Sequence, residues 1–238
     1  EKKKSVVLIK VWRGVGTSGA KVGLPSVVFQ QKNPPPYLTM ALGAGAVTPL
    51  QMVSAYSVFA NGGHLLAPTL ISKVTDTQGR VLLETPATTP TETSQVISER
   101  NAFLMSSLLQ EITRSGTAAR AQATLKRTDI YGKTGTTNDA MDAWFVGFQP
   151  TLAAAVWVGY DNPKNLGSRE TGGGLSLPIW ISFMQDALKG IPEMTPPVPD
   201  GVVQVAGEWY FTEFSPGNSV KQLGTENDSQ GIPGPDST

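Results

Sequence analysis

Lys133-Thr134-Gly135-Thr136 is the stretch of this sequence best suited to chemistry. An ammonium on a strand edge can bind a carboxylate and polarise a neighbouring serine. Thr134 and Thr136 stand two residues apart, so on a strand they share a face and offer two hydroxyl donors. Gly135 has no side chain to block a flat substrate, and a free strand edge can accept a peptide as an added strand. Three letters are a weak signal by themselves, because a Lys in a turn-forming segment gives the same match. His64 is the sole histidine. A catalytic role would require a Ser and a carboxylate within reach, and its position after a helix stop reads as a cap or surface residue. Asp139 and Asp142 could suggest paired acid–base work, but Asp favours turns on its own account, and the turn is preferred.

The elements that must position these residues are legible in outline. Asp129–Gly135, Ala143–Phe148 and Leu152–Tyr160 read as three successive strands. Links this short force antiparallel pairing, since a parallel crossover needs a dozen or more residues. Thr48 caps a helix with Pro49 in its first turn, and Asn61-Gly62-Gly63 ends it. Leu50, Val53, Ser54, Ser57 and Val58 recur at helical spacing. Ser98 caps a second, longer helix, whose predicted apolar stripe is Phe103, Leu104, Leu108 and Ile112, widened by Met105 and Leu109. Pro178 to Lys189 reads as a third helix. Thr69 to Glu84 reads as a hairpin around Thr77-Gln78-Gly79. Ser5 to Trp12 is too short for periodicity to separate helix from strand, and residues 14–36 read as an irregular connector. Gly172-Gly173-Gly174 lacks the Lys-Ser/Thr of a phosphate loop and reads as a flexible border of the site.

Composition narrows the function classes. The 238 residues carry 19 basic and 19 acidic side chains, so there is no basic field for nucleic acid. Cysteine is absent, which excludes disulfides, thiol catalysis and Cys-based metal sites. With one histidine, no multi-His metal site forms either; neither a metal nor a cofactor is expected. No run of 18 apolar residues and no signal-peptide pattern at Glu1 occurs. The 25 glycines and 18 prolines exceed their joint average usage of roughly 12% and concentrate toward the C-terminus. Two regions are expected: 1–195, holding the strands and helices, and 196–238, a Pro/Gly-rich extension. A short strand is expected within Val202 to Phe211, and disorder from Ser215 onward.

The stretch KTGTTNDAMDAWFVGF, residues 133–148, resembles the third motif of the class A penicillin-binding proteins, bifunctional cell-wall synthases of the penicillin-binding protein 1a type. YLTMALGAGAVTPLQMVSAYSVFANGG, residues 37–63, is similar to the segment between that family's second and third motifs. RSGTAAR, residues 114–120, and TGGGLSLPIW, residues 171–180, agree with its pattern. The resemblance covers roughly residues 5–190 and implies an α+β fold of the penicilloyl-serine transferase type, an antiparallel sheet flanked by helices, here incomplete. It implies serine acyl transfer on peptidoglycan stem peptides, with β-lactams as substrate mimics. The same resemblance implies roles for individual residues. Lys133 would hold the substrate carboxylate region and tune a second-motif serine. Thr134 and Thr136 would bond the carboxylate beside Gly135, and the Thr136 N–H would serve the oxyanion hole. Protein activators, a glycosyltransferase in the parent, an upstream membrane anchor and a place on the periplasmic face of the bacterial inner membrane follow from the same resemblance.

Two departures matter. The family's Ser-x-x-Lys nucleophile lies well before the region matched here. Ser18-Gly19-Ala20-Lys21 has the letters, but in a Gly-rich loop and after the place of the second motif, as a chance match would. The Ser-x-Asn second motif belongs just before VVLIK, where the chain reads Lys3-Lys4-Ser5. A C-terminal piece of the transpeptidase domain, inactive alone, is the simplest expectation. The alternatives are a non-catalytic peptidoglycan- or partner-binding module and a serine β-lactamase or carboxypeptidase.

Overall fold

The structure is a computed structural model that describes residues 5–13, 47–69, 71–86, 89–168 and 170–217, the first of these by backbone alone. Ser18, the 14–36 connector, Lys2 to Lys4 and the tail beyond residue 217 lie outside the described residues. The described elements run β1 (Ser5–Arg13), α1 (Pro49–Ala60), β2 (Lys73–Thr75), β3 (Val81–Glu84), α2 (Glu99–Arg114), α3 (Arg120–Leu125), β4 (Tyr131–Thr136), β5 (Ala143–Gln149), β6 (Leu152–Gly159), α4 (Leu177–Ala187), β7 (Val202–Val205) and β8 (Glu208–Phe211). They fall into two compact units, Glu1–Pro199 and Asp200–Thr238.

The first unit is built on a four-stranded antiparallel sheet in the order β1-β6-β5-β4. The Ser5 to Trp12 stretch is thus a strand. Both faces of β5 and β6 are covered, which is why these strands read as nearly unbroken apolar runs rather than alternating ones. Phe145, Ala154, Val156 and Val158 meet Leu177, Trp180 and Met184 of α4 and Ala121 of α3 on one face. Val146, Phe148, Ala153 and Ala155 meet Val53 of α1 and Leu109 of α2 on the other. The alanines of β6 leave room for large partners. The Trp180 indole N–H donates to the Ala154 carbonyl at 3.1 Å, and its ring stands edge-on to Phe145 at 4.9 Å. The expected α+β layering, an antiparallel sheet flanked by helices, is what the molecule shows.

Helix α1 starts as its sequence dictates. The Thr48 hydroxyl accepts from the Gln51 N–H at 3.2 Å, and Gln51 returns the bond to the Thr48 N–H at 2.8 Å. At its end Gly62 takes φ +76°, the left-handed step that glycine makes without penalty. Leu50 falls outside the packed face, 37% exposed.

The face of α2 departs from expectation in part: Leu109 and Ile112 pack as the stripe predicts, but the rest of the buried face is made of smaller residues. Its buried residues are Ala102, Ser106, Leu109 and Thr113, whereas Leu108 is 59% exposed. Small side chains let the helix sit close to β4. The hydroxyl at Thr113 is satisfied there by the carbonyls of Gln110 and Ile130, so burying it leaves no orphan polar group. Hydrophobic periodicity alone favours the larger side chains one step round the helix. The hairpin of β2 and β3 forms. In the second unit β7 and β8 pair antiparallel, so the stretch from Val202 to Phe211 is a hairpin rather than one strand.

Candidate functional site

β4 is an edge strand, so Lys133-Thr134-Gly135-Thr136 lies along a border that no other described strand covers. The sheet register fixes which way each side chain leaves it. Thr134 is opposite Phe145 and Thr136 opposite Ala143, residues of the face that α4 covers. Lys133 is opposite Val146, on the face of α1 and α2. The two threonines therefore do share a face, and Lys133 starts from the other one. The lysine still reaches them: its Nζ donates to the Thr134 carbonyl oxygen at 2.9 Å and lies 3.4 Å from Thr134 Oγ1. No carboxylate among the described residues pairs with it, and the ammonium is exposed.

Two turns flank the strand. The chain leaving α2 brings Thr117 Oγ1 to 3.0 Å from Thr134 Oγ1. Residues Gly172–Ser176 form one wide, π-type turn leading into α4, and the Gly172 N–H donates to Thr136 Oγ1 at 3.0 Å. The glycine-rich stretch is thus a built wall rather than a loose border. Ser176 anchors it, its hydroxyl donating to the Ala143 carbonyl at 2.7 Å. Thr117 was not legible as a site residue, and Gly172 was legible only as part of a glycine-rich border, without its bond to Thr136. Their signal was positional only, a hydroxyl or glycine in a turn immediately after or before a helix.

The other candidates do structural work. Asp142 Oδ1 accepts from the Trp157 indole N–H at 2.7 Å, and the Asp139 carbonyl accepts from the Asn165 amide. His64 Nδ1 meets Ser94 Oγ at 2.9 Å, but Ser94 is fully buried and its hydroxyl donates to the Thr91 carbonyl. Ser5, where the second motif belongs, has its backbone on β1 opposite Gly159. That is three strands from β4, about 14 Å at the usual 4.8 Å strand spacing.

One buried ionic cluster supports the strand from below. Arg127 binds Asp129 through two nitrogens, at 2.8 and 2.7 Å, and also donates to the carbonyls of Ile191 and Pro192. Asp129 accepts further bonds from the Gln149 amide and the Met194 N–H, each at 3.0 Å. Burial pushes the Asp129 carboxyl up, but the hydrogen bonds from Arg127, Gln149 and Met194 outweigh it and hold the group below the usual aspartate range. At this end of the sheet Tyr131 stacks on Phe148 at 4.8 Å, and burial followed by the nearby Asp129 charge raises its phenol to about 12. A cavity of about 350 Å³ beside them, lined by Phe59, Phe103 and Pro196 among others, lies at the opposite end of β4 from Thr136.

Residues 14–185 match the family described as penicillin binding protein transpeptidase domain. Penicillin-binding protein 1A of Neisseria lactamica is 43% identical over 211 residues, which is 88% of this chain and 26% of that protein. The crystal structure of penicillin-binding protein 1A from Haemophilus influenzae superposes with a TM-score of 0.68 at 30% identity, over 77% of this chain and 35% of that one. The PonA1 protein of Mycobacterium tuberculosis, solved in complex with penicillin V, superposes with a TM-score of 0.54 at 30% identity, over 70% of this chain and 45% of that one. The chain spans about a quarter of the length of the curated relatives it matches.

Proposed function

The chain belongs to the penicillin-binding protein transpeptidase family, and from that premise we propose that it forms the substrate-holding part of a peptidoglycan D,D-transpeptidase. One observation carries this: the Lys133 ammonium and the hydroxyls of Thr134 and Thr136 gather on the border of an edge strand. A stem peptide laid along that edge would place its terminal carboxylate against Lys133, Thr134 and Thr136, with Gly135 leaving its backbone clear. Charge-assisted bonds of this kind are the strong class. A serine hydroxyl attacks the penultimate D-Ala carbonyl, the C–N bond to the terminal D-Ala breaks, and D-Ala leaves with the proton as a free amino acid. An amine of a neighbouring stem peptide then displaces the serine from the acyl-enzyme, forming the cross-link. The Thr136 N–H is assigned to the oxyanion formed in each step.

The nucleophile is assigned to a Ser-x-x-Lys segment outside the described residues. The companion assignments are β-lactams as covalent mimics, protein activators, a glycosyltransferase in the parent, and anchorage at the periplasmic face of the inner membrane. Among the described residues no helix is long and apolar enough to cross a membrane. Residues 1–195 are assigned to the transpeptidase portion and 196–238 to an appended extension.

One observation favours a second reading, a peptide-binding module without turnover: the backbone of Ser5 lies at the far edge of the sheet from Lys133. Labelling the complete gene product with a fluorescent penicillin separates the two. One acyl equivalent on a serine of a Ser-x-x-Lys segment supports the transpeptidase. Reversible binding without a covalent adduct supports the module.

A further inference from the structure

Each motif hydroxyl is engaged by a group from outside the motif strand. Gly172 donates its N–H to Thr136 Oγ1 at 3.0 Å. It sits so close to β4 and β5 that an added Cβ would lie 2.2 Å from the Trp144 carbonyl oxygen and 2.5 Å from that of Gly135. Thr117 Oγ1 is 3.0 Å from Thr134 Oγ1. The two flanking turns also lie close together: a Cβ added to Gly173 would stand in ordinary contact with the Thr117 carbonyl oxygen, at 3.6 Å, and with Thr134 Cγ2, at 3.9 Å. The Thr117 turn, β4 and the Gly172 turn thus form one continuous wall.

A threonine hydroxyl has one proton and two lone pairs. With an N–H already donating to Thr136 Oγ1, that hydroxyl's proton is left for another acceptor. The Thr117–Thr134 contact uses one proton of the two present. When Thr117 donates, the Thr134 proton turns outward, and the second lone pair of the same oxygen still accepts from Lys133 Nζ at 3.4 Å. A chain in which each hydroxyl accepts before it donates also polarises the terminal donor. An anion at the strand edge selects this state, because it accepts and cannot donate.

We infer that Thr117 is a positioning residue for carboxylate recognition: its hydroxyl donates to Thr134 Oγ1 and directs the Thr134 proton at the substrate anion. The inference rests on the transpeptidase function proposed above and adds a residue from a different turn to it. Thr117 is exposed and lies after α2, so its replacement leaves both cores intact.

The test uses the complete gene product and two probes, benzylpenicillin and its uncharged methyl ester. Second-order acylation rate constants are measured for the unmodified protein, Thr117→Val and Thr117→Ser, with thermal melting as the fold control. Thr117→Val is expected to slow benzylpenicillin by roughly three- to tenfold, the range of one net hydrogen bond, and to leave the ester within about twofold. Thr117→Ser restores the benzylpenicillin rate. Equal losses with both probes, no loss with either, or failure of serine to restore the rate overturns the role of Thr117 alone. No acylation of the unmodified protein by either probe overturns the proposed function along with it.

Discussion

Lys133 and Thr134 leave the edge strand on opposite faces, yet the Lys133 ammonium donates to the Thr134 carbonyl oxygen at 2.9 Å. A four-carbon stem is long enough to bring the charge round the strand border, and no described strand lies beyond β4 to obstruct it. The cation therefore stands beside the Thr134 hydroxyl, 3.4 Å from its oxygen, although strict alternation would separate them.

That placement makes Lys133 the substitution of greatest effect. In the complete protein Lys133→Ala is expected to slow β-lactam acylation by roughly ten- to 150-fold, the equivalent of a charge-assisted bond of ~1.5–3 kcal/mol. Lys133→Arg should recover part of this, since it keeps the charge but changes reach and cannot readily yield a proton. Acylation by a chromogenic β-lactam measures the effect, and an unchanged melting temperature shows that the fold is intact. An unchanged rate would make the Lys-Thr-Gly match a structural coincidence.

The Arg127–Asp129 pair sets a pH dependence of stability. Both side chains are nearly inaccessible, at 12% and 3% exposure. The folded-state pKa of Asp129 is lowered, so its contribution is fully present above the unfolded value of about 3.9 and is lost as pH falls through the folded value. Thermal melting should be insensitive to this group from pH 7 to about 5 and should fall below about pH 4. Asp129→Ala should cost about 3–5 kcal/mol at pH 7 by leaving Arg127 buried without its carboxylate, and its melting temperature should decline less steeply in acid.

Strands β4, β5 and β6, the β2–β3 hairpin and the capped helices were legible because each follows from local chemistry, whereas β1 was undecided between helix and strand and the β7–β8 hairpin read as a single strand. Thr48-Pro49 fixes a helix start, and short links between β4, β5 and β6 force antiparallel order. The face of α2 was not legible, since Ala102, Ser106 and Thr113 are buried for reasons of close approach and hydroxyl satisfaction that hydrophobicity does not encode. Thr117 was not legible either, and Gly172 only as a border glycine, without the bonds that fix it to the motif strand. They matter through contacts with residues 17 and 36 positions away, and no local pattern specifies such contacts. Asp129 gave only an ambiguous signal, a charge at the head of a strand.

Gly147 tests how tightly α4 is pressed to the sheet. An added Cβ would lie 2.6 Å from the Tyr131 carbonyl oxygen, 2.9 Å from Phe145 Cε1 and 3.0 Å from Trp180 Cζ2. Backbone and two interlocked rings leave no flexible neighbour to give way. Gly147→Ala should therefore destabilise by at least ~1–3 kcal/mol, the usual range for overpacking, and lower the melting temperature by roughly 2–10 °C. A melting temperature equal to that of the unmodified chain would mean that the helix and sheet are free to separate.

The 238-residue chain by itself should not form a covalent penicilloyl adduct. A nucleophilic serine needs an accessible hydroxyl with a base in hydrogen-bond reach. Ser94 has an imidazole partner at 2.9 Å, but it is fully buried and its proton is committed to the Thr91 carbonyl. Ser176 is likewise buried, with its hydroxyl on the Ala143 carbonyl. Among the described residues Lys133, the cation at the motif, has Thr134 as its hydrogen-bond partner and no serine. Intact-mass analysis after incubation with benzylpenicillin, on chain shown by cooperative melting to be folded, is expected to give the unmodified mass. A stoichiometric gain mapping to Ser18 would identify Ser18-Gly19-Ala20-Lys21 as the nucleophile segment and place the whole acylation machinery within this chain. A gain at Ser94 would instead mean that the His64 turn opens in solution and exposes a second, unforeseen nucleophile.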